Sequence, residues 1–196
     1  MIRALVLAAG ESTRMGVPKA LLRIDDTTFL GRILSNLRQA ALGGITVVLG
    51  AHAQLIQART DFAGVDVVVH PGYRDGQLSS LCAGVRSLAP ETAALVLCLV
   101  DNPFVTSTLV NQVVEAFHRS GQSIVVPVHA GKSGHPTLFA RAVFAELLAA
   151  PADMGARYVV HADGQRVHRL AVDDAAVLAK IDTPEDYVRW FGEPPR

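Results

Sequence analysis

A glycine-rich segment near the start of the chain combines small residues with two positive charges. It reads Leu-Ala-Ala-Gly-Glu-Ser-Thr-Arg-Met-Gly-Val-Pro-Lys over residues 7–19. Small residues let the backbone approach a ligand closely, and successive amides in such a loop form a concavity that suits phosphate oxygens. Arg14 and Lys19 add positive charge, and arginine can hold a phosphate through two hydrogen bonds. The segment predicts a phosphate-binding loop.

Two other nucleotide-binding loops do not fit this segment. A P-loop needs Ser or Thr directly after its lysine, whereas Ala20 follows Lys19. The dinucleotide fingerprint G-x-G-x-x-G is absent from residues 7–19 as well. The remaining alternative is an ordinary strand–loop–helix connection that carries surface charges.

Asp101 stands where a metal ion could meet this loop, because it follows the apolar run 93–100 and the end of such a strand faces the ligand edge of the sheet. A second aspartate, Asp182, precedes Thr183-Pro184. Magnesium prefers hard oxygen ligands and often takes one or two carboxylates together with phosphates. The alternatives are a turn at Asp101 and a helix entry at Asp182, where Thr followed by Pro makes a good start.

Three further segments carry polar side chains that could contact small molecules. Ser79 and Ser80 stand in residues 76–84, where the free amides of a helix start and the hydroxyl groups could form hydrogen bonds to a ligand. Gly-His-Pro lies within residues 131–139, and Arg157 is the last residue of the segment 153–157. The alternatives are a serine helix cap, a hairpin turn and a helix terminus.

Composition limits the classes of protein that are possible. Half of the 196 residues are hydrophobic, and 18 basic residues balance 18 acidic ones. This composition argues against disorder, and the absence of net charge argues against nucleic acid or a membrane surface as partner. The apolar run 93–100 is shorter than the about 20 residues that span a bilayer. Two cysteines with no paired spacing suggest no disulfide, so a cytoplasmic location is expected.

Hydrophobic periodicity predicts alternating strands and helices. Strands are predicted over residues 3–8, 45–49, 65–69, 94–100 and 123–128, and helices over 27–41, 52–60, 79–88, 106–118, 140–149 and 181–191. The alternation indicates an α/β fold with a doubly wound, mostly parallel sheet between two helix layers. Ligands bind beyond the carboxyl ends of such strands, here the loops 9–19, 70–80, 101–105 and 129–137. A single domain, 1–196, is expected.

The loop resembles the signature L-A-A-G-x-S-x-R-M-G-x-P-K-x-L-L of the MobA-like NTP transferase family, and it matches every fixed position through Leu22. Residues 76–84, 97–103, 131–139 and 179–187 resemble further segments of the same family. The resemblance is strongest to the molybdenum cofactor cytidylyltransferases. It implies a Rossmann-like nucleotide-diphospho-sugar transferase fold and a Mg²⁺-dependent transfer of a nucleotide from an NTP, CTP by preference, to a phosphorylated acceptor of the molybdopterin type. A molybdoenzyme maturation partner is a further expectation.

The same resemblance implies NTP binding mainly in residues 1–128 and acceptor binding mainly in 129–180, and it implies roles for individual residues. It implies catalytic roles for Arg14, Lys19 and Asp101, and metal binding by Asp101 and Asp182. It implies contacts with the acceptor for Gly134, His135, Pro136 and Arg157. The implied nucleotide contacts are Leu7, Ala8, Ala9, Gly10, Glu11, Ser12, Arg14, Met15, Gly16, Lys19, Ser79, Ser80 and Gly84.

The sequence departs from the family pattern at four positions, and several alternatives stay open. Gln77, Leu78, Asn102 and Lys180 replace the commoner residues, and Lys180 stands where the pattern has aspartate. The alternatives are a transferase for a sugar phosphate or another phosphorylated acceptor, a nucleotide-binding module without activity, and a dinucleotide-dependent oxidoreductase. The missing glycine fingerprint makes the oxidoreductase the weakest of them.

Overall fold

The computed structural model of the chain describes residues 1–195. The strands, in chain order, are β1 (Ile2–Ala8), β2 (Arg23–Ile24), β3 (Thr27–Thr28), β4 (Ile45–Leu49), β5 (Val65–Val69), β6 (Ala94–Leu99), β7 (Ile124–His129), β8 (Lys132–Ser133), β9 (Thr137–Ala140) and β10 (Val167–Ala171). The helices are α1 (Phe29–Arg38), α2 (Ala53–Arg59), α3 (Gln77–Ser87), α4 (Ser107–Ser120), α5 (Phe144–Ala149), α6 (Arg157–Ala162) and α7 (Pro184–Phe191).

One sheet organises the fold, with strand order β10-β7-β9-β6-β1-β4-β5 and β8 paired to β7. The central strand β1 is parallel to both β4 and β6, and β4 is parallel to β5. Strand β9 is antiparallel to its neighbours β6 and β7. The mostly parallel, doubly wound sheet predicted from the sequence is confirmed.

The alternation of side chains along β1 creates the two packed layers. Ala4 and Val6 belong to one core cluster, which takes its helical residues from α1, α2 and α4. Leu5 and Leu7 belong to a second cluster, which takes them from α3, α5 and α6. Because successive strand residues point to opposite faces, one apolar strand supplies both cores. The expected helix layer on each side of the sheet is therefore present.

Side-chain caps fix the starts of three helices. Thr28 accepts a hydrogen bond from the Gly31 amide at α1, and Thr106 accepts one from the Leu109 amide at α4. Thr183 begins α7 with a capping box, in which Asp186 accepts from the Thr183 amide in return. Among the described residues, no helix has the length and apolar character needed to cross a bilayer.

The second half of the sheet differs from the sequence prediction. The predicted helix over residues 140–149 is wrong at its start, because Thr137–Ala140 form a buried strand and α5 begins at Phe144. Strand β10 and helix α6 were missing from the prediction. A four-residue apolar run has too few periods to distinguish a strand from a helix, and pairing with β6 and β7 decides the outcome.

The contact of α3 with the sheet depends on Gly84. A Cβ atom at this position would lie 2.6 Å from Leu5 Cδ1 and 2.9 Å from Val48 Cγ2. Leu5 and Val48 are both fully buried, so there is little room for either to move.

We therefore expect Gly84→Ala to destabilise the protein by about 1–3 kcal/mol through overpacking, although Gly to Ala in a helix ordinarily stabilises. Urea unfolding followed by circular dichroism measures the change. Gly164→Ala is the matched control, because its added Cβ meets no atom within 4 Å. Equal stability of the two variants would contradict the assigned packing role.

Candidate functional site

The glycine-rich loop after β1 folds back on itself. Ser12 adopts a positive φ of 55°, and its carbonyl oxygen accepts hydrogen bonds from the amides of Met15 at 3.0 Å and Gly16 at 3.1 Å. The Ser12 hydroxyl oxygen accepts from the Lys19 amide at 3.1 Å. These bonds turn the chain so that Lys19, at the start of a short 3-10 helix, returns to the end of the sheet from which the loop departs.

The Lys19 ammonium lies between two carboxylates from distant parts of the chain. Lys19 Nζ donates a hydrogen bond to Asp182 Oδ1 and lies 3.7 Å from Asp101 Oδ2. All three side chains are largely buried, with exposed fractions of 13% for Lys19, 15% for Asp101 and 14% for Asp182. The structure thus brings together the lysine and the two aspartates that the sequence singled out separately.

Two exposed cations complete this cluster. Arg14 reaches Asp182 Oδ2 at 3.2 Å, and Lys180 Nζ reaches the same oxygen at 3.0 Å. Their side chains are 67% and 66% exposed, in contrast to the largely buried Lys19. Arg14 and Lys180 are therefore open to solvent or ligands on their outer side. We refer to Arg14, Lys19, Asp101, Lys180 and Asp182 as the charge cluster.

Backbone structure holds the two aspartates in place. Asp101 stands two residues beyond the end of β6, and its carbonyl oxygen accepts a hydrogen bond from the Ile181 amide at 2.9 Å. Ile181 is fully buried. The Asp182 amide donates to Asp186 at 3.1 Å, next to the capping box of α7. The end of β6 and the entry to α7 are thus connected directly.

The electrostatics of Asp182 reflect its cationic neighbours. Burial raises the pKa of Asp182, but the hydrogen bonds and charges of Lys19 and Lys180 outweigh burial and lower that pKa to about 2. Asp182 is therefore ionised at every physiological pH. A permanently ionised carboxylate can hold cations, whether ammonium groups or a metal ion.

The residues present fit a metal ion only in partnership with a ligand. Within residues 1–195, no group of three or more His, Cys, Asp or Glu side chains could hold a metal. Asp101 and Asp182 both lie within 3.7 Å of Lys19 Nζ, so both carboxylates face one small region. Magnesium commonly takes one or two carboxylates and completes its coordination with phosphate oxygens and water. The pair suits such an ion when phosphate is bound.

A cavity of about 300 Å³ opens beside the charge cluster. Many of the residues predicted to contact nucleotide, metal or phosphate line it: Leu7, Ala8, Ala9, Gly10, Ser12, Arg14, Lys19, Ser80, Asp101 and Asp182. A cleft at the carboxyl ends of parallel strands, with small residues on one side and cations at its edge, is the expected place for a phosphorylated ligand. We refer to it as the first cavity.

Five predicted nucleotide contacts lie outside this lining. Glu11 pairs with Arg74 at 2.9 Å, and Met15 is buried against Leu22, Phe29 and other apolar residues. Gly16 serves the turn and Gly84 serves helix packing.

Ser79 is the fifth of these residues. Its hydroxyl donates to the carbonyl oxygens of Gly76 and Gly72. The helix start predicted at Ser79 is wrong by two residues, because α3 begins at Gln77. The nucleotide contacts of all five residues remain predictions.

A second cavity of about 480 Å³ adjoins the first, and the two share Leu7, Gln77 and Leu99. Its lining includes the predicted acceptor residues Gly134, His135 and Arg157, while Pro136 lies outside it. Gly134 must lack a side chain, since a Cβ there would lie 2.4 Å from the Val177 carbonyl oxygen.

Burial controls the chemistry of His135 in this second cavity. Burial lowers the pKa of His135, the charge of Asp101 partly offsets this, and Lys180 lowers the pKa further. The imidazole is consequently neutral near pH 7. Its Nδ1 is buried, and the described part of the chain offers that nitrogen no hydrogen-bond partner. A ligand in the second cavity could supply one.

Sequence reasoning missed several residues of the site. Tyr73, from the loop after β5, and Gln77, the first residue of α3, line the first cavity, and the predicted ligand loop 70–80 was the only signal for them. Lys180 was recognised as a departure from the family pattern, without a role. Its place in the charge cluster depends on the packing of the chain before α7 against β6, and no local pattern encodes that packing.

Comparisons with known proteins agree with this architecture. The family described as MobA-like NTP transferase domain matches residues 4–170. The molybdenum cofactor cytidylyltransferase of Escherichia coli (strain K12) is 24% identical over 187 residues, which cover 95% of this chain and 94% of the relative. Nicotine blue oxidoreductase of Paenarthrobacter nicotinovorans is 27% identical over 198 residues, covering 96% and 95% respectively.

Among solved structures, Rv0371c from Mycobacterium tuberculosis H37Rv is 35% identical, with 98% of each chain covered and a TM-score of 0.87. A structure of Rv0371C in complex with manganese is 34% identical, with the same coverage and a TM-score of 0.84.

The low pKa of Asp182 has a measurable effect on stability. Because this pKa is about 2 in the folded protein and 3.8 ordinarily, the ionised carboxylate stabilises the fold above pH 4. The contribution, about 2 kcal/mol by linkage, is lost as the pH falls from about 4 to about 2. We expect the difference in unfolding free energy between wild type and Asp182→Asn to shrink over this range. Asp173→Asn, at an exposed position, is the control, and an equal pH-dependent difference there would contradict the assignment.

Proposed function

The chain belongs to the family of MobA-like NTP transferase domains, and we propose that it transfers CMP from CTP to the phosphate of a small acceptor of the molybdopterin type, with release of pyrophosphate. The observation that carries this proposal is the charge cluster at the first cavity, where Lys19 faces Asp101 and Asp182. Permanent cations and paired carboxylates in one cleft suit a polyphosphate that binds with a divalent metal ion.

In the proposed reaction, an oxygen of the acceptor phosphate forms a bond to the α-phosphorus of the NTP. The bond from the α-phosphorus to the bridging oxygen breaks, and pyrophosphate leaves with the electron pair. A phosphate monoester is largely ionised near neutral pH, so the nucleophile needs no general base. The protein has to bring two anions together and to balance the charge that moves onto the leaving group.

The charge cluster supplies these functions. Arg14 and Lys19, with the loop amides, would hold the β- and γ-phosphates. Asp101 and Asp182 would hold Mg²⁺, which when bound offsets negative charge on the phosphates. For this to happen the Lys19 ammonium has to exchange one of its carboxylate partners for phosphate oxygens. Lys19 is close enough to both carboxylates to keep one ion pair while it does so.

Sequence resemblance supports the choice of CTP, and the size of the second cavity supports a molybdopterin-type acceptor. Residues 7–10 and 18–19 resemble the cytidylyl branch of the family, and the molybdenum cofactor cytidylyltransferase of Escherichia coli aligns over nearly the whole chain. The second cavity offers about 480 Å³ directly beside the first. Its floor contains Leu81, Leu97 and Phe139, which would accommodate a ring system.

Hydride transfer is the competing function, because one relative is named an oxidoreductase. A dinucleotide cofactor binds with its pyrophosphate against a glycine fingerprint in the loop after the first strand, and residues 7–19 do not contain that fingerprint. Calorimetric titration with CTP and Mg²⁺ on one side and with NADPH on the other separates the two functions. Binding of NADPH alone would favour the oxidoreductase.

Replacing Lys19 tests the proposed phosphate contact. We expect Lys19→Ala to lower turnover by about 10²–10³-fold, the usual effect of removing a group that stabilises developing charge. Circular dichroism should remain that of a folded α/β protein, since Lys19 lies at the end of the sheet. Lys132→Ala, at an exposed position of β8, is the control for the loss of a positive charge. Turnover of Lys19→Ala at the wild-type rate would overturn the proposal.

The proposed reaction also predicts a strict set of requirements. Pyrophosphate release, measured with each of the four NTPs, should need CTP, Mg²⁺ and molybdopterin together and should stop when EDTA is added. Release with a different NTP or acceptor would correct the substrate and keep the transferase. Binding of NTP without release for any phosphorylated acceptor would point to a nucleotide-binding module.

A further inference from the structure

Three cations meet two carboxylates in the charge cluster. Lys19 takes one oxygen of Asp182, and Arg14 and Lys180 share the other at 3.2 Å and 3.0 Å. Asp101 adds the only further carboxylate within 4 Å of these groups among the described residues. The cluster therefore carries an excess positive charge before any ligand or metal arrives. Such an excess favours the binding of a further anion, in addition to the phosphates whose charge a metal ion would offset.

Lys180 is the member of the cluster that is least committed to the fold. Its side chain is 66% exposed, and within residues 1–195 its one ion pair is with Asp182 at 3.0 Å. Exposed ion pairs contribute little to stability, so the ammonium can leave this carboxylate at small cost. The backbone at this point is nevertheless fixed, because the next residue, Ile181, is buried and hydrogen bonded to Asp101. The Lys180 ammonium can thus move, while the backbone that carries it is held in place.

The backbone around Lys180 contacts residues of both cavities. The amide of Ile181, the next residue, donates to the carbonyl oxygen of Asp101, which lines the first cavity. The Val177 carbonyl oxygen accepts from the amide of His135, which lines the second cavity. The residues that both cavities share, Leu7, Gln77 and Leu99, carry no charge. Lys180, which is exposed and paired with Asp182 at the first cavity, is therefore an available cation near this uncharged boundary.

We propose that Lys180 binds the phosphate monoester of the acceptor and positions it against the α-phosphorus of the NTP. This inference rests on the proposed function and deepens it, since it makes a dianionic phosphate the feature by which the acceptor is recognised. An ammonium on a flexible stem can follow the phosphate into place while Arg14 and Lys19 remain with the NTP. A neutral alcohol would lack the matching charge, and the carboxylate of a sugar acid would bring one negative charge where a phosphate monoester brings up to two.

The chain contains three lysines, Lys19, Lys132 and Lys180, which allows a site-resolved test. Protein labelled with ¹³C at the lysine ε-carbon gives one NMR signal for each, and single Lys→Gln variants assign them. The protein is first saturated with Mg²⁺ and the α,β-methylene analogue of the NTP that binds best, which cannot release pyrophosphate. Inorganic phosphate, the probe for the acceptor's phosphate, is then titrated.

We expect the NTP analogue to shift the Lys19 signal and phosphate to shift the Lys180 signal in a saturable manner, with Lys132 unchanged. Lys180→Gln should weaken phosphate binding by about tenfold or more, the usual effect of losing one charge-assisted hydrogen bond. Lys180→Arg should restore most of the affinity, and Lys132→Gln is the matched control. Lys180→Gln should still bind the NTP analogue, because Arg14 and Lys19 remain.

The two proposals fail in different ways. If the NTP analogue leaves Lys19 unshifted, the proposed function fails. If the analogue binds but phosphate leaves Lys180 unshifted, or binds equally well to Lys180→Gln, the role of Lys180 is overturned while the transferase stands. A phosphate shift at Lys132 in place of Lys180 would overturn it in the same way.

Discussion

The Lys19 ammonium, held between Asp101 and Asp182, is the interaction on which the arrangement of the site depends. Two partly buried carboxylates from chain positions 81 residues apart would repel each other without a cation between them. The ordered turn of the glycine-rich loop delivers that cation through the bonds of Ser12. The loop, the end of β6 and the entry to α7 therefore form one unit, in which each part needs the others. In the proposed reaction Lys19 would exchange one of these carboxylates for phosphate oxygens and keep the other, while Asp101 and Asp182 would hold the metal ion.

The sheet explains why these parts meet at all. Parallel strands β1 and β6 are neighbours, so the loops that follow them leave from the same edge. The apolar runs that form the strands are visible in the sequence, and the edge at which Lys19 and Asp101 collect can be derived from them. The position of Asp182 could not be derived in this way. It follows a segment with only short 3-10 and extended structure, and the Ile181–Asp101 hydrogen bond that places it is a tertiary contact.

Local patterns also failed where pairing decides the structure. The strands β1, β4 and β5 lie within one residue of their predicted bounds, because each is a short, mainly apolar run beside a turn or glycine. Strand β9 has the same apolar character as the helix that follows it. Its pairing with β6 and β7 cannot be derived from its own four residues. Gly84 was predicted to contact nucleotide and instead lies against Leu5 and Val48. A glycine can serve a ligand or a close packing contact, and only the three-dimensional neighbours distinguish the two.

The antiparallel direction of β9 has a consequence for the chemistry. Strand β9 lies between β6 and β7, and Thr137 pairs with Leu97, near the carboxyl end of β6. Because β9 runs antiparallel, its first residue lies at the edge where β6 ends. The Gly-His-Pro segment that precedes it therefore arrives next to Asp101. A parallel strand in this place would have put that segment at the opposite edge of the sheet, away from both cavities. The reversed direction of β9 is thus what joins the second cavity to the first, and it brings the backbone around His135 to the same end of the sheet as the phosphate-binding loop.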